Sequence, residues 1–293
     1  MKNNNLSVLP FYTSLNEQDC RKPYAYGEVY PLFCPINRIL PFQIQLPAVA
    51  DDTAMDVILY SCEGDEVALL TQAMHNTGLQ IVTRSGVPYS TIVYPAYTAL
   101  TPTGLRGGSY YLYIETGDGY KFYSDVFTWV GDIDRFLAIE WWNKEDLVMD
   151  GARIVYGQPY FRNRLYLSTE IGKPEYTFEE EGEQRDGFFL PEKQISEKVY
   201  KFAFLANEPL LDVMRFIRMA DVARVRDQYG REYLCDEFLI TPNWETQGNL
   251  ASVEAELHTD TVAKKVASLW IDPNLGDFND DYNDDFDNET ETE

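Results

Sequence analysis

The run DFNDDYNDDFDNETETE, residues 277–293, places Asp277, Asn279 and Asp281 at alternate positions, which is how a calcium-binding loop begins. Such a loop needs Gly at its sixth position for a sharp turn and a bidentate Glu at its twelfth. Those positions hold Tyr282 and Asn288. The calcium pattern fails. What remains is three short units, DFND, DYND and DFDN, each an aromatic ring flanked by acids. From Asp272 to Glu293 there are ten acids and no base. Such a block buries too little apolar surface to offset its ordering entropy, so residues 272–293 are expected to form a disordered acidic tail, solvated in the free protein. Phe278, Tyr282 and Phe286 recur every four residues. Against a basic partner those three rings would anchor a tether whose carboxylates match the partner's charge.

Few other residues are arranged for chemistry. AIEWWNKED sets Glu140 beside Trp141 and Trp142, and rings next to an acid could line a sugar groove. The same residues suit a strand that packs Trp into a core, and no second acid is singled out as a glycosidase partner. His75, in TQAMHNTG, and His258, in ASVEAELH, belong to no zinc-protease or nucleophile-elbow pattern and read as surface histidines. Cys20, Cys34, Cys62 and Cys235 show no CxxC spacing; Cys34 and Cys235 lie among apolar neighbours and read as buried thiols. The acids of EEEGEQRDGFFLPEKQ, residues 179–194, are interleaved with Arg185 and Lys193, which predicts a polar loop with local ion pairs. GLRGGS lacks the lysine and the strand-to-helix setting of a phosphate-binding loop. No cofactor or metal site is expected.

Charge narrows the partners. The chain of 293 residues carries a net charge of −24, and setting the ten acids aside leaves 38 acids against 24 bases. That balance argues against nucleic acid, which requires a basic footprint, and offers no polybasic patch for anionic lipid. No stretch reaches the roughly 18 apolar residues of a membrane span. MKNNNLSVLPFY lacks the apolar centre of a signal peptide, so folding in a cytoplasm is expected.

The elements that must position these residues read as mainly β. Tyr and Phe are abundant, in short runs punctuated by Gly, Pro, Asn and Asp, as in sandwiches and barrels. Residues 1–45 are predicted to be an extended N-terminal arm on the protein's own surface or a neighbour's. Pro23, Pro31, Pro35 and Pro41 disfavour a central strand, while the aromatic side chains are too many for a free linker. Residues 46–131 then read as a β-sandwich-like domain, with strands at MDVILY, LQIVTR and STIVYP. Its clearest hairpin is SYYLYIETGDGYKFYSDVFTWV, turning at GDG. Residues 132–271 read as a second β-rich domain with one packed helix. That helix covers NEPLLDVMRFIRMAD: Asn207 can cap, Pro209 suits the first turn, and Leu210, Val213, Met214 and Ile217 share a face. A hairpin is predicted around Gly230, and ASVEAELH alternates apolar inward and polar outward.

Several of these runs carry a resemblance. NRLYLSTEIGKPEYTFEEEGEQRDGFFLPEKQISEKVYKFAF, EPLLDVMRFIRMADVARV and FLITPNWETQGNLASVEAELHTDTVAKKV resemble a structural protein of tailed phages and prophages of gut Bacteroidetes. PFYTSLNEQDCRKPYAYGEVYPLFCPINRILPFQIQLP and YYLYIETGDGYKFYSDVFTWV are similar to the same family. The resemblance covers roughly residues 8–267 and omits the acidic segment. It implies a virion component, in the tail or at its tip, with no catalytic residues and no cofactor. The expected partners are copies of the chain in a symmetric ring and other tail proteins. High aromatic content suits such interfaces. The rival expectation is a carbohydrate-binding module that stacks host-surface glycan on Trp141, Trp142 and Trp244; a glycan-degrading enzyme using Glu140 is the more distant one.

Overall fold

A computed structural model of the chain describes residues 6–15, 32–50, 52–95, 98–100, 105–149, 152–157, 160–185, 187–244, 250–259 and 263–266. The fold is mainly β, as expected, with strands numbered β1–β20 in chain order among these residues. The chain divides into two compact units, residues 1–174 with 199–260, and residues 175–198 with 261–293.

The first unit contains most of the strands. One sheet joins β1 (Phe11–Tyr12), β9 (Lys121–Ser124), β8 (Gly108–Thr116), β10 (Phe127–Val130) and β2 (Leu32–Pro35), with β4 (Met55–Ser61) pairing both β8 and β5 (Glu66–Leu69). The aromatic hairpin falls where the sequence places it, and Gly119 turns it with a φ of 83°. A second sheet has the order β3 (Phe42–Pro47), β7 (Tyr89–Tyr94), β6 (Gln80–Thr83). β12 (Leu147–Met149) and β13 (Ala152–Ile154) form a small hairpin. The largest sheet runs β14 (Asn163–Leu167), β11 (Leu137–Trp142), β17 (Val222–Arg226), β18 (Glu232–Trp244), β19 (Ala251–Thr259), then the second half of β16 (Phe188–Ala206). Its turns and alternation follow the sequence: Gly230 turns β17 into β18 with a φ of 77°, and Ala251, Val253, Ala255 and Leu257 all point into the core.

Two helices accompany the sheets. α1 (Thr71–Asn76) is a single short turn that the sequence did not announce, because six residues are too few for a helical period to show. α2 (Glu208–Met214) is the predicted helix. The Asn207 side chain accepts from the Leu210 N–H at 3.1 Å, and the end tightens into a 3₁₀ turn over Arg215–Met219. Leu210, Val213, Met214 and Ile217 are all buried.

One apolar core runs through this unit from Phe11 and Phe42, past Trp129 and Ile133, to Trp141, Phe202 and Met214. It continues across residue 131 without a break. The described parts of residues 1–45 belong to it: Leu6, Val8, Leu9, Phe11, Tyr12 and Cys34 are buried, and Phe11 meets Phe42 at 4.7 Å. The segment's described strands pair where proline is tolerated. β2 runs parallel to β10 at the end of its sheet and finishes at Pro35.

The second unit is built on a hairpin. β15 (Glu175–Arg185) pairs with the first half of β16 around Gly187, which has a φ of 84°, and β20 (Ala263–Val266) pairs with Lys193–Ser196. This corrects the expectation of a loop over 179–194. The stretch is strand almost throughout, and its side chains hide the period because β15 is exposed on both faces. Lys193 Nζ lies 3.6 Å from Glu181, an exposed ion pair of the expected kind.

Candidate functional site

Strand β11 decides what each residue of LAIEWW can do. Successive side chains point to opposite faces, so Leu137, Ile139 and Trp141 enter the core while Glu140 and Trp142 face the other way. Trp141 is 0% exposed. It is therefore a core residue, and the expectation that it contacts glycan or partner is corrected; of the two adjacent rings, only Trp142 reaches the surface. Glu140 is occupied as well. Its carboxylate accepts from Arg164 Nη2 at 2.8 Å and lies 3.8 Å from Arg162 Nη1. Burial opposes the Arg164 charge, but Glu140 beside it outweighs that effect and holds the guanidinium pKa above its usual value.

Register brings a second partner to Trp142. β14 runs antiparallel to β11 with Asn163 opposite Trp141, which sets Arg162 next to Trp142. The Arg162 guanidinium sits 4.3 Å from the Trp142 ring centroid, and Arg224 on β17 approaches the same ring at 5.9 Å. Both distances suit a cation–π contact. A guanidinium stacked flat keeps its in-plane N–H groups available to an acceptor.

Beside this cluster lies a groove of about 260 Å³ lined by Trp142, Asn143, Lys144, Tyr156, Tyr160 and Arg162. Its walls are fixed from beneath. Asp146 Oδ1 accepts from the backbone N–H groups of Tyr156 at 3.0 Å and Gly157 at 3.4 Å, and its other oxygen accepts from Arg84 Nε at 3.0 Å. Burial alone would raise the Asp146 pKa; Arg84 and the two backbone donors overcome that and hold it below the usual carboxylate value. Gln43 clasps the backbone of Val155 through two buried hydrogen bonds, at 2.8 and 2.9 Å. On the opposite wall, Asp221 and Asn143 exchange bonds that pin Asn143 and Lys144: Asp221 N–H donates to Asn143 Oδ1 and Lys144 N–H to Asp221 Oδ2, both at 2.7 Å. Tyr160 completes the rim. It is 72% exposed and has a φ of 63°, a left-handed conformation uncommon for a residue other than glycine.

The remaining sequence candidates are dispersed. Trp244 ends β18 and is 45% exposed. Phe278, Tyr282 and Phe286 lie outside the described residues, as does Cys20. His75 is exposed on α1, and His258 is half-buried on β19. Cys34 is buried, Cys235 half-buried and Cys62 exposed. Among the described residues no three His, Cys, Asp or Glu side chains come together as a metal site would require, and no helix is long and apolar enough to cross a membrane.

Two features were not singled out from sequence. Arg162, Lys144 and Tyr160 could have been found by pairing LAIEWW with FRNRLYL as neighbouring strands. The other is on the hairpin of the second unit, where Tyr176 and Phe178 share one face of β15 and are 70% and 61% exposed, with Phe189 also in solvent.

No known protein family, curated protein or solved structure matches this chain. What its surfaces can do is set by their chemistry. The groove offers an aromatic wall and two cations, and strand β15 offers aromatic rings set among its five glutamates, Glu175, Glu179, Glu180, Glu181 and Glu183.

Proposed function

We propose that the chain is a non-enzymatic structural subunit of a tailed-phage virion, placed in the tail or its tip. It is made in the bacterial host cytoplasm and packs against copies of itself in a ring and against other tail proteins. The observation that carries this reading is the hairpin of residues 175–198. In the order of its sheet β15 lies at the edge, beyond β16, and a long edge strand is a ready surface for pairing with or packing on another chain. Here β15 is exposed on both faces and places Tyr176 and Phe178 in solvent. Large rings exposed to water on a strand ladder suit an interface core, where aromatic anchors supply most of the binding energy. A hairpin that seats on a different patch of the next copy makes a heterologous contact, and repetition of that contact closes a ring. The ion pairing of Glu140 with Arg164 fits a structural role for that acid. The sequence resemblance to phage structural proteins supports the same reading.

Native mass spectrometry of the purified full-length chain tests it. The expected result is a closed oligomer of one defined size, reduced to monomer by Tyr176→Ser combined with Phe178→Ser while circular dichroism is unchanged. A chain monomeric at every concentration, or an oligomer indifferent to both substitutions, would contradict the reading.

A second reading rests on Trp244, whose ring is exposed at the end of β18 and could stack on a sugar face. Trp142 suits this role less well, because Arg162 already stacks on it. Glycan-array binding that is lost in Trp244→Ala would favour a carbohydrate-binding module.

A further inference from the structure

We propose that the groove between Trp142 and Tyr160 binds a uronic acid residue of an acidic glycan. The sugar carboxylate lies on Arg162 and Lys144, a sugar oxygen takes the Asn143 amide, and the apolar face of the sugar covers Tyr160. The proposal needs neither Trp244 nor the hairpin, and it stands whether or not the chain is a virion subunit.

Charge calls for the carboxylate. On a chain of net charge −24, Lys144 and Arg162 both line this groove. Lys144 is exposed and has no ion-pair partner among the described residues. Arg162 stacks on Trp142 at 4.3 Å and lies 3.8 Å from Glu140, whose nearer partner is Arg164 at 2.8 Å. The stacked guanidinium keeps N–H groups in its plane, where a carboxylate can bridge them. Asp146 is taken by Arg84 and Arg153, at 3.0 and 3.5 Å, and by two backbone N–H groups. Glu145, exposed next to Lys144 in the chain, is the acid that opposes the fit.

Asn143 supplies a directed donor. It lines the groove and is only 9% exposed. The Asp221 N–H can only donate, so it fixes which end of the Asn143 amide is oxygen: Oδ1 accepts it at 2.7 Å. That leaves the amide N–H₂, which has no acceptor among the described residues. Bulk water serves a largely buried donor poorly, and a sugar oxygen supplies a fixed acceptor.

Tyr160 favours a sugar over an aromatic acid. Arg162 already stacks on Trp142, which leaves Tyr160 as the open platform. Its side is 72% exposed, so a ligand stacked on the ring keeps its own far side in water. An arene would leave an apolar face wet there; a sugar turns an apolar face to the ring and hydroxyls to the solvent. The backbone beneath the ring is held: Tyr160 N–H donates to Gly157 O at 2.6 Å, with φ at 63°, a conformation that costs a residue other than glycine energy. At about 260 Å³ the groove falls below the roughly 300–1,000 Å³ typical of whole drug-sized ligands, which suits one sugar unit with its chain continuing outside.

Other cavities among the described residues suit an acidic ligand poorly. One of about 350 Å³ beside Cys235 is lined by Asp236 and Glu237, and its arginine, Arg218, is already paired with Glu237 at 3.1 Å. One beside Pro209 holds only about 20 Å³ and is lined by Asp125.

Saturation-transfer difference NMR on the full-length chain tests the proposal, with methyl glucuronide and methyl galacturonide as probes. Transfer is expected from at least one of them. Methyl glucoside, which lacks the carboxylate, should give at least about fivefold less, and benzoate no more than the glucoside. Acetate should displace the bound uronide only weakly. Lys144→Ala combined with Arg162→Ala should weaken uronide binding at least about tenfold, the scale of lost charge-assisted hydrogen bonds, with circular dichroism unchanged. Tyr160→Gly suits the positive φ better than tyrosine does, so it should keep or raise the unfolding temperature while abolishing transfer. A loss of binding in that variant is therefore not a loss of fold. Glu145→Gln removes the opposing charge and should tighten binding. No transfer from either uronide at millimolar concentration would overturn the proposal, as would equal binding of uronide and glucoside. Stronger binding of benzoate, displacement by acetate as effective as by the uronide itself, or indifference to the Lys144, Arg162 and Tyr160 substitutions would overturn it equally.

Discussion

Asp227 receives four hydrogen bonds at the turn between β17 and β18. Its buried carboxylate accepts from the N–H groups of Tyr229 at 2.9 Å and Arg231 at 2.8 Å, from Arg231 Nε at 2.7 Å and from the Tyr233 hydroxyl at 3.0 Å. Burial by itself would raise its pKa. The donors of Arg231, with Tyr229 and Tyr233, outweigh burial and hold it below the usual carboxylate value. A depressed folded-state pKa stabilises the fold above the unfolded value of about 3.9, and that stabilisation is lost as pH falls through the folded value. Asp227→Asn would turn an amide N–H₂ toward donors, so it should cost about 2–3 kcal/mol at neutral pH in denaturant unfolding. The gap between variant and parent should close as pH drops below about 4. A gap independent of pH would show that the charge is not what matters. At this scale sequence reading reached Glu140 and the tryptophans but not their roles. Trp141 and Trp142 look equivalent as letters and are separated only by strand phase. Asp227 has no motif: its partners are close in sequence, yet nothing in RDQYGREY says that its carboxylate rather than another acid is enclosed.

Elements were legible where their periods were undisturbed. α2 could be read because Asn207 and Pro209 mark its start and four apolar residues keep helical spacing; β19 could be read because every second residue is buried. Asn207→Ala should cost about 1 kcal/mol, the usual value of an N-cap, measured as a lowered unfolding midpoint with an unchanged slope. Legibility failed for α1, which is too short, and for β15, whose two faces both meet solvent and so never alternate. That same exposure motivates a prediction about β15. Its backbone amides should exchange faster in the isolated subunit than those of β8, whose burial in the apolar core gives protection near the global stability, and should become protected on assembly. Equal protection of β15 before and after assembly would mean that the hairpin is not an interface.

For the whole molecule, the described stretches of residues 1–45 show how an extended segment can be integral to a core. Phe11, Cys34 and Phe42 are enclosed by β strands from far along the chain. Proline content shows where regular pairing must stop, but it does not show which sheet edge receives the segment. Mainly β architecture was therefore readable from composition and punctuation, while sheet membership depended on long-range register. The acidic balance, net −24, favours solubility, and any self-association as proposed must overcome that like charge through a few complementary contacts. In the proposed assembly the aromatic hairpin supplies such a contact. Quantitative mass spectrometry of purified phage particles, released from cells that carry the gene, tests the central claim most directly. The chain should be present at a fixed copy number per particle, a small integer multiple set by ring symmetry, and should stay with the tail fraction when heads and tails are separated. Particles that are complete and infectious but contain none of it would contradict the account.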